Sequence, residues 1–171
     1  SLITCSRGCS ACCHTQVSVN SDEAALLGTR ILEDGLKIDL DRLAKQALAP
    51  SDDWLKLDVK ERACVFLDSR GSCRVYEDRP SVCRTNNVIS NPALCDTSDG
   101  SYQNTRMLKT VKADLVTMAA YNASGEGGVM ANMLAKAIGI LSEQKMGKSA
   151  KKNYKKGGFK RLKELFNNAV M

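Results

Sequence analysis

Eight cysteines constrain this 171-residue chain more than any other feature, and half of them crowd into one short segment near the start. These four are Cys5, Cys9, Cys12 and Cys13. Adjacent residues such as Cys12 and Cys13 do not readily form a disulfide with each other. A gap of two residues, as between Cys9 and Cys12, presents two thiols to one metal ion at little cost in chain entropy. The spacing therefore favours metal binding over a disulfide framework.

The other four cysteines lie farther apart, so only the tertiary fold can bring them together. They are Cys64, Cys73, Cys83 and Cys95. We take all eight as candidate metal ligands and expect early and late cysteines to share sites, which would hold the N-terminal loop against the later segment. We also expect the side chain of Cys13 to point away from that of Cys12, so that the pair serves two metals or bridges them.

Thiolate ligands suit zinc, iron–sulfur clusters or copper(I). The sequence contains no ferredoxin-type run of cysteines. Zinc is the leading prediction, and iron or an iron–sulfur cluster is the alternative. His14, the only histidine, is either a ligand or a solvated loop residue. Glu23 and Glu77 are possible oxygen ligands, but a helix cap and a turn-shaping pair with Arg79 explain them more simply.

The fold class predicted from the pattern is mainly α with a small β-hairpin. Asn20 and Glu23 are typical of a capping box that begins a helix ending near Gly35. Further helices are predicted over residues 39–49, 103–121, 129–145 and 159–169. We expect the methionines at helical spacing to lie in the core, not on a metal. They are Met107, Met118, Met130 and Met133.

The hairpin is expected over residues 63–76, where β-forming segments flank a turn at residues 68–71. A short strand is expected at residues 16–19. We divide the chain into a cysteine-rich metal-centred domain at residues 1–100, a helical extension packed on it at 101–145, and a basic linker with a terminal helix at 146–171.

Charge is unevenly distributed along the chain. Residues 1–100 contain 12 Lys+Arg and 15 Asp+Glu, a net of −3, whereas residues 101–171 contain 13 and 4, a net of +9. The basic arm from Lys145 to Lys163 could bind nucleic acid, contact a protein partner or simply remain solvated. No secretory signal and no membrane-length apolar run is visible, so a cytoplasmic protein without a membrane span is expected.

A longer pattern in the first hundred residues resembles the bacterial cysteine-cluster family of the YkgJ type, whose members are described as chelating zinc or iron. The pattern is Cys5-x3-Cys9-x2-Cys12-Cys13, then Ala63-Cys64-x-Phe66-Leu67-x3-Gly71-x-Cys73-x-Val75-Tyr76-Glu77-x-Arg79-Pro80-x2-Cys83-Arg84. The resemblance covers about residues 5–95. It implies metal ligation by the seven cysteines of the pattern, and Cys95 lies where a further downstream cysteine is often found.

Three functional hypotheses follow, and whether the protein is an enzyme stays open. The first is a protein whose metal is mainly structural or is handled as cargo. The second, by analogy with flagellin lysine N-methylases, which carry a related cysteine cluster, is an iron-dependent or iron–sulfur enzyme that modifies a peptide or protein. The third is a nucleic-acid-binding protein that uses the basic arm.

Overall fold

The computed structural model describes residues 2–6 and 8–145, without the side chains of residues 143–145. The predicted basic linker, terminal helix and most of the basic arm lie outside the described residues. The α-helices are α1 (Ser21–Leu32), α2 (Leu40–Leu48), α3 (Val59–Arg62), α4 (Ser81–Thr85), α5 (Val111–Ala123) and α6 (Met130–Lys145). The strands are β1 (Ser18–Asn20) and β2 (Gly127–Val129). Short 3-10 helices cover Ala11–His14, Ser51–Lys56, Tyr76–Asp78 and Pro92–Cys95.

The mainly α class with a small antiparallel strand pair is confirmed, and the first helix begins where the capping box was predicted. The side chain of Asn20 accepts a hydrogen bond from the Glu23 N–H at 2.8 Å, and Oε2 of Glu23 accepts one from the Asn20 N–H at 3.1 Å. This reciprocal pair satisfies two backbone donors that the first helical turn would otherwise leave without partners.

Helices α1, α2 and α6 form most of the apolar core, which also includes Val19 of β1 and the buried Phe66 of the turn at residues 64–73. Leu27, Leu43 and Leu134, one from each helix, are completely buried. Gly28 lets α1 approach α6 closely, since a Cβ at this position would stand 3.0 Å from Leu141 Cδ1. The boundaries of α2 and α6 agree with the predicted helices at 39–49 and 129–145. None of the helices in the described part of the chain is both long and apolar enough to cross a membrane.

The strand pair joins distant parts of the sequence. Ser18 pairs with Val129 and Asn20 with Gly127, so β1, close to the predicted strand at 16–19, lies beside a segment for which no strand was expected. At residues 63–76 the predicted hairpin is a tight turn closed by one isolated bridge between Leu67 and Cys73. The ladder does not extend further because nearby donors are bonded elsewhere, as with the Leu67 N–H, which bonds to the carbonyl of Cys64.

The predicted helix at 103–121 differs most from the structure. Helix α5 begins only at Val111, because the preceding residues lie against residues 87–90: Met107 forms a bridge with Val88. No residue of α5 is buried. The expectation that Met107 and Met118 belong to the core is therefore wrong, since both are exposed; Met130 and Met133 are buried as expected.

Candidate metal centre

One cavity of about 390 Å³ collects most of the cysteines. Its wall includes seven of the eight, which come from the N-terminal loop, the turn at residues 64–73 and helix α4: Cys5, Cys9, Cys12, Cys13, Cys64, Cys73 and Cys83. Cys95 is not part of this wall, but its 3-10 helix packs against the 3-10 helix Ala11–His14. The fold thus brings together thiols that are far apart in sequence, as their spacing required.

The start of the N-terminal loop is attached to residues 88–90. The Thr4 N–H and hydroxyl both donate to the Val88 carbonyl, at 3.1 and 3.0 Å. In return the Val88 N–H donates to Cys5 Sγ at 3.4 Å. A turn follows in which the Cys9 N–H donates to the Ser6 carbonyl at 3.0 Å. These bonds position the first two thiols at the cavity edge without any regular secondary structure.

The adjacent cysteines are held from both sides. The Cys64 N–H donates to the carbonyl of Cys13 at 2.8 Å, which places the beginning of the later turn directly beside the cysteine pair. The indole N–H of the buried Trp54 donates to the His14 carbonyl at 2.9 Å. Gly71, whose φ is +75°, packs against the loop, where a Cβ would lie 3.1 Å from Ser10 Oγ. A larger residue at Gly71 would therefore strain the turn and crowd the loop.

Helix α4 carries Cys83 and is anchored to the start of α1. Glu23, which caps α1 through one carboxylate oxygen, accepts the Ser81 N–H through the other at 2.7 Å. Both oxygens of Glu23 therefore serve backbone donors, which supports its predicted structural role. The Cys83 N–H bonds back to the Pro80 carbonyl at 2.9 Å, so the first turn of α4 orients the thiol.

The charged residues before α4 shape the turn differently from the predicted Arg79–Glu77 pair. The guanidinium of Arg79 lies over the ring of Tyr76, 3.8 Å from its centroid, and donates to the Tyr76 carbonyl at 3.2 Å. Arg84, which follows Cys83 directly, donates to the carbonyls of Glu77 and Arg79. Arg79 is left facing the cavity, where its positive charge acts on several thiols.

Cys12 and Cys13 do not diverge as expected. Their side chains share a hydrogen bond and line the same cavity. This bond lowers the pKa of Cys12 to about 6, with further help from the Asn86 side chain and from the charge of Arg79. The same bond, together with burial, raises the pKa of Cys13. The pair therefore combines a ready thiolate with a thiol that holds its proton.

Four further thiols, those of Cys64, Cys73, Cys83 and Cys95, have a raised pKa. Burial raises the pKa of Cys64 to about 11 and that of Cys83 to about 12, and it also raises the pKa of Cys73 and Cys95. A metal ion must displace these protons, since thiolate is the ligating form. Each of these thiols resists ionisation on its own. A cation bound in the cavity would stabilise their thiolate forms together.

The other predicted ligand, His14, lies outside the cavity wall, with Nδ1 3.2 Å from the Ser10 carbonyl oxygen. Sequence reasoning missed two wall residues, Arg62 and Asn86. Arg62 is only 2% exposed and donates to the hydroxyl and carbonyl of Thr97, both at 2.8 Å. Arg62 lies in a polar stretch of the sequence that does not predict burial. Asn86 lies three residues after Cys83, and this short distance indicates a position near the site.

Within residues 2–6 and 8–145, no three cysteine, histidine, aspartate or glutamate side chains already stand as a group that could hold a metal ion. The chemistry of the donors nevertheless fits a thiophilic metal, because seven thiols line one cavity and at least two of them interact directly.

The fold and the site together define a class of protein, a mainly helical domain with a cavity lined by thiols. Residues 4–112 match the cysteine-cluster family CxxCxxCC, described as "Putative zinc- or iron-chelating domain". This match covers more than half of the chain, and the chain belongs to that family. No curated protein and no solved structure matches the chain. The more specific relation to the YkgJ type and to flagellin methylases stays a prediction.

Proposed function

We propose that this protein binds zinc through its cysteines and that the bound metal is mainly structural or held as cargo. The observation that supports the proposal is the single cavity into which three separate chain segments bring seven thiols. Four thiolates arranged around one ion are the usual ligand set of structural zinc. Zinc is preferred to iron because the sequence lacks the closely spaced cysteine run of ferredoxins.

The connections around the cavity give the metal a mechanical role. Individual hydrogen bonds join the described part of the N-terminal loop to the turn and to residues 88–90, such as that from the Cys64 N–H to the Cys13 carbonyl. A metal ion bound by thiolates of several segments would crosslink them, and its binding free energy would become folding free energy. Free thiols of this kind persist in a reducing compartment, so we also propose a cytoplasmic location.

The test is to purify the protein without oxygen and to measure its elemental content per chain together with its visible absorption. Zinc without visible colour is the expected result. Iron with sulfide and a broad absorption would instead support the iron–sulfur alternative and its possible enzyme chemistry. Absence of both metals, with all thiols titrating as oxidised, would overturn metal binding in favour of disulfides.

A further inference from the structure

We propose that the eight cysteines form two adjacent four-thiolate metal sites. The inner site consists of Cys13, Cys64, Cys73 and Cys83. The outer site consists of Cys5, Cys9, Cys12 and Cys95. The inference rests on the proposed metal binding and adds to it the number of ions and the partition of the ligands, which the sequence leaves open.

The inner set is defined by contacts around the turn at residues 64–73. The Cys64 N–H bonds to the Cys13 carbonyl at 2.8 Å, and the bridge between Leu67 and Cys73 closes the turn. Both ends of the turn therefore lie on the same wall as Cys13. The thiol of Cys13 interacts electrostatically with those of Cys64 and Cys73, and the thiol of Cys83 interacts with the same two. This set is assembled from three segments that are distant in sequence.

The outer set is defined by the packing of two 3-10 helices. Cys95 ends the helix Pro92–Cys95, which lies against Ala11–His14. The Cys95 thiol interacts electrostatically with Cys5, Cys9 and Cys12, and no thiol of the inner set acts on it in the same way. The Cys9–Cys12 gap of two residues is the short spacing that places two thiols on one ion.

Cys12 marks the border between the sites. Its thiol shares a hydrogen bond with that of Cys13, and it interacts electrostatically with Cys73 and Cys83 as well as with Cys95. We assign it to the outer site because three other thiols there need a fourth, and the inner set is complete without it. The cavity of about 390 Å³ leaves room for a second ion, since one ion with four sulfurs at about 2.3 Å fills only a fraction of that volume.

Binding two ions in this way changes only protonation and coordination. Each thiol that still carries a proton releases it to solvent as its sulfur joins the ion, and no redox step is involved. Two divalent ions with eight thiolates carry a net charge of about −4, following from four thiolates at each ion. Arg79 faces the cavity and supplies part of the compensating positive charge.

The test counts ions in pairs of serine variants. The full chain and three double variants are loaded with Co²⁺ without oxygen, freed of excess metal and measured for cobalt per chain and for thiolate-to-cobalt absorption. Cys9→Ser/Cys95→Ser removes two outer ligands, Cys73→Ser/Cys83→Ser removes two inner ligands, and Cys9→Ser/Cys83→Ser removes one from each set. We expect two ions in the unchanged chain, one in each within-set variant, and loss or strong weakening of both in the cross-set variant.

Circular dichroism of each variant keeps the test independent of folding. If the inner variant does not fold, the outer and cross-set variants still decide the matter, because the outer variant must retain one ion of four-thiolate character. Two retained ions in the outer variant, or the same loss in the outer and cross-set variants, would overturn the partition. A single ion in the unchanged chain would also overturn it while leaving metal binding intact, whereas no ion at all would overturn the proposed function itself.

Discussion

The helical core and the thiol cavity, although they meet at Met130 and Ala131 of helix α6, are stabilised in different ways. In the core, α6 packs along α1 and α2, and side chains such as Leu27, Leu43 and Leu134 are removed from water completely. Around the cavity, the chain runs through turns and short helices such as α3 and α4, which are joined by individual hydrogen bonds. Apolar burial extends to the turn at residues 64–73, where Val65 and Phe66 are almost completely buried. The described residues of the N-terminal loop and those of α4 include no buried side chain, so apolar burial holds these two segments much less.

The difference indicates that the two regions depend on different stabilising interactions. If the metal is structural as proposed, the core folds around contacts within the chain, whereas the cavity depends on a metal crosslink. The two regions meet at Glu23, which caps α1 on the core side and accepts the Ser81 N–H on the cavity side. Each region should therefore respond to a different perturbation, and the coupling between them should be measurable at this residue.

Metal removal should have the largest effect and should act on the cavity. Structural zinc contributes roughly 10–16 kcal/mol of apparent binding free energy in small zinc domains, more than any single side chain. We expect a strong chelator to lower the melting temperature measured by circular dichroism by tens of degrees, about what such a loss implies for a domain of this size. Amide signals of residues near the cavity should broaden or shift first.

The matched control is re-addition of zinc after the chelator is removed, which should restore the original melting curve. Helicity and melting temperature that are unchanged after verified loss of metal would show that the cavity needs no crosslink. The contrast between the two regions would then disappear.

Leu134→Ala should show the opposite pattern, with a large loss in the core and little effect on metal. Leu134 is fully buried on α6, and truncation of a buried leucine typically costs about 2–5 kcal/mol. Urea unfolding of the metal-loaded protein measures the loss, and elemental analysis should give an unchanged metal content. Ile140→Ala on the same helix is the control, because Ile140 is 47% exposed and its truncation should cost much less. Similar losses for both variants would contradict the proposed position of the core.

Glu23→Gln should have an intermediate effect because it weakens the link between the regions. A glutamine offers one acceptor oxygen where the carboxylate serves two backbone donors, so either the cap of α1 or the bond from the Ser81 N–H is lost. We expect a loss of about 1–2 kcal/mol in urea unfolding. Asp22→Asn is the matched control, since it removes the same charge from the first turn of α1 at an exposed position. Equal losses in the two variants would assign the effect to charge alone.

Local signals explain which parts of this arrangement the sequence predicted. The capping box at Asn20 and Glu23 depends on neighbouring residues only, and α1 begins where it was predicted. Helix α2 begins at Leu40, one residue after the predicted start. The spacing of the cysteines likewise predicted a shared site, although their roles as ligands stay a prediction. Local sequence patterns could not predict the pairing of β1 with β2, because Gly127 and its neighbours pair with residues more than a hundred positions earlier.

Other differences arise where a local pattern competes with contacts it does not include. The segment at 63–76 looks like a hairpin, but its backbone donors are partly used by the cysteine loop, as the Cys64 N–H shows. The side chains of Cys12 and Cys13 line the same cavity, and no spacing rule specifies this shared direction. Helix α5 is apolar enough to resemble a core helix, yet Leu115 and Val116 are adjacent, point to different sides and are both exposed.

Helix α5 provides the last and smallest expected effect, and it tests whether the core ends where the structure places it. Leu115 is 61% exposed, so Leu115→Gln should change the free energy of unfolding by no more than about 0.5 kcal/mol. Urea unfolding at two protein concentrations measures the change and separates self-association from intrinsic stability. A loss of several kcal/mol that does not depend on concentration would mean that α5 is covered within the chain. A loss that grows with concentration would mean that a second copy covers it, because only then does mass action enter the stability.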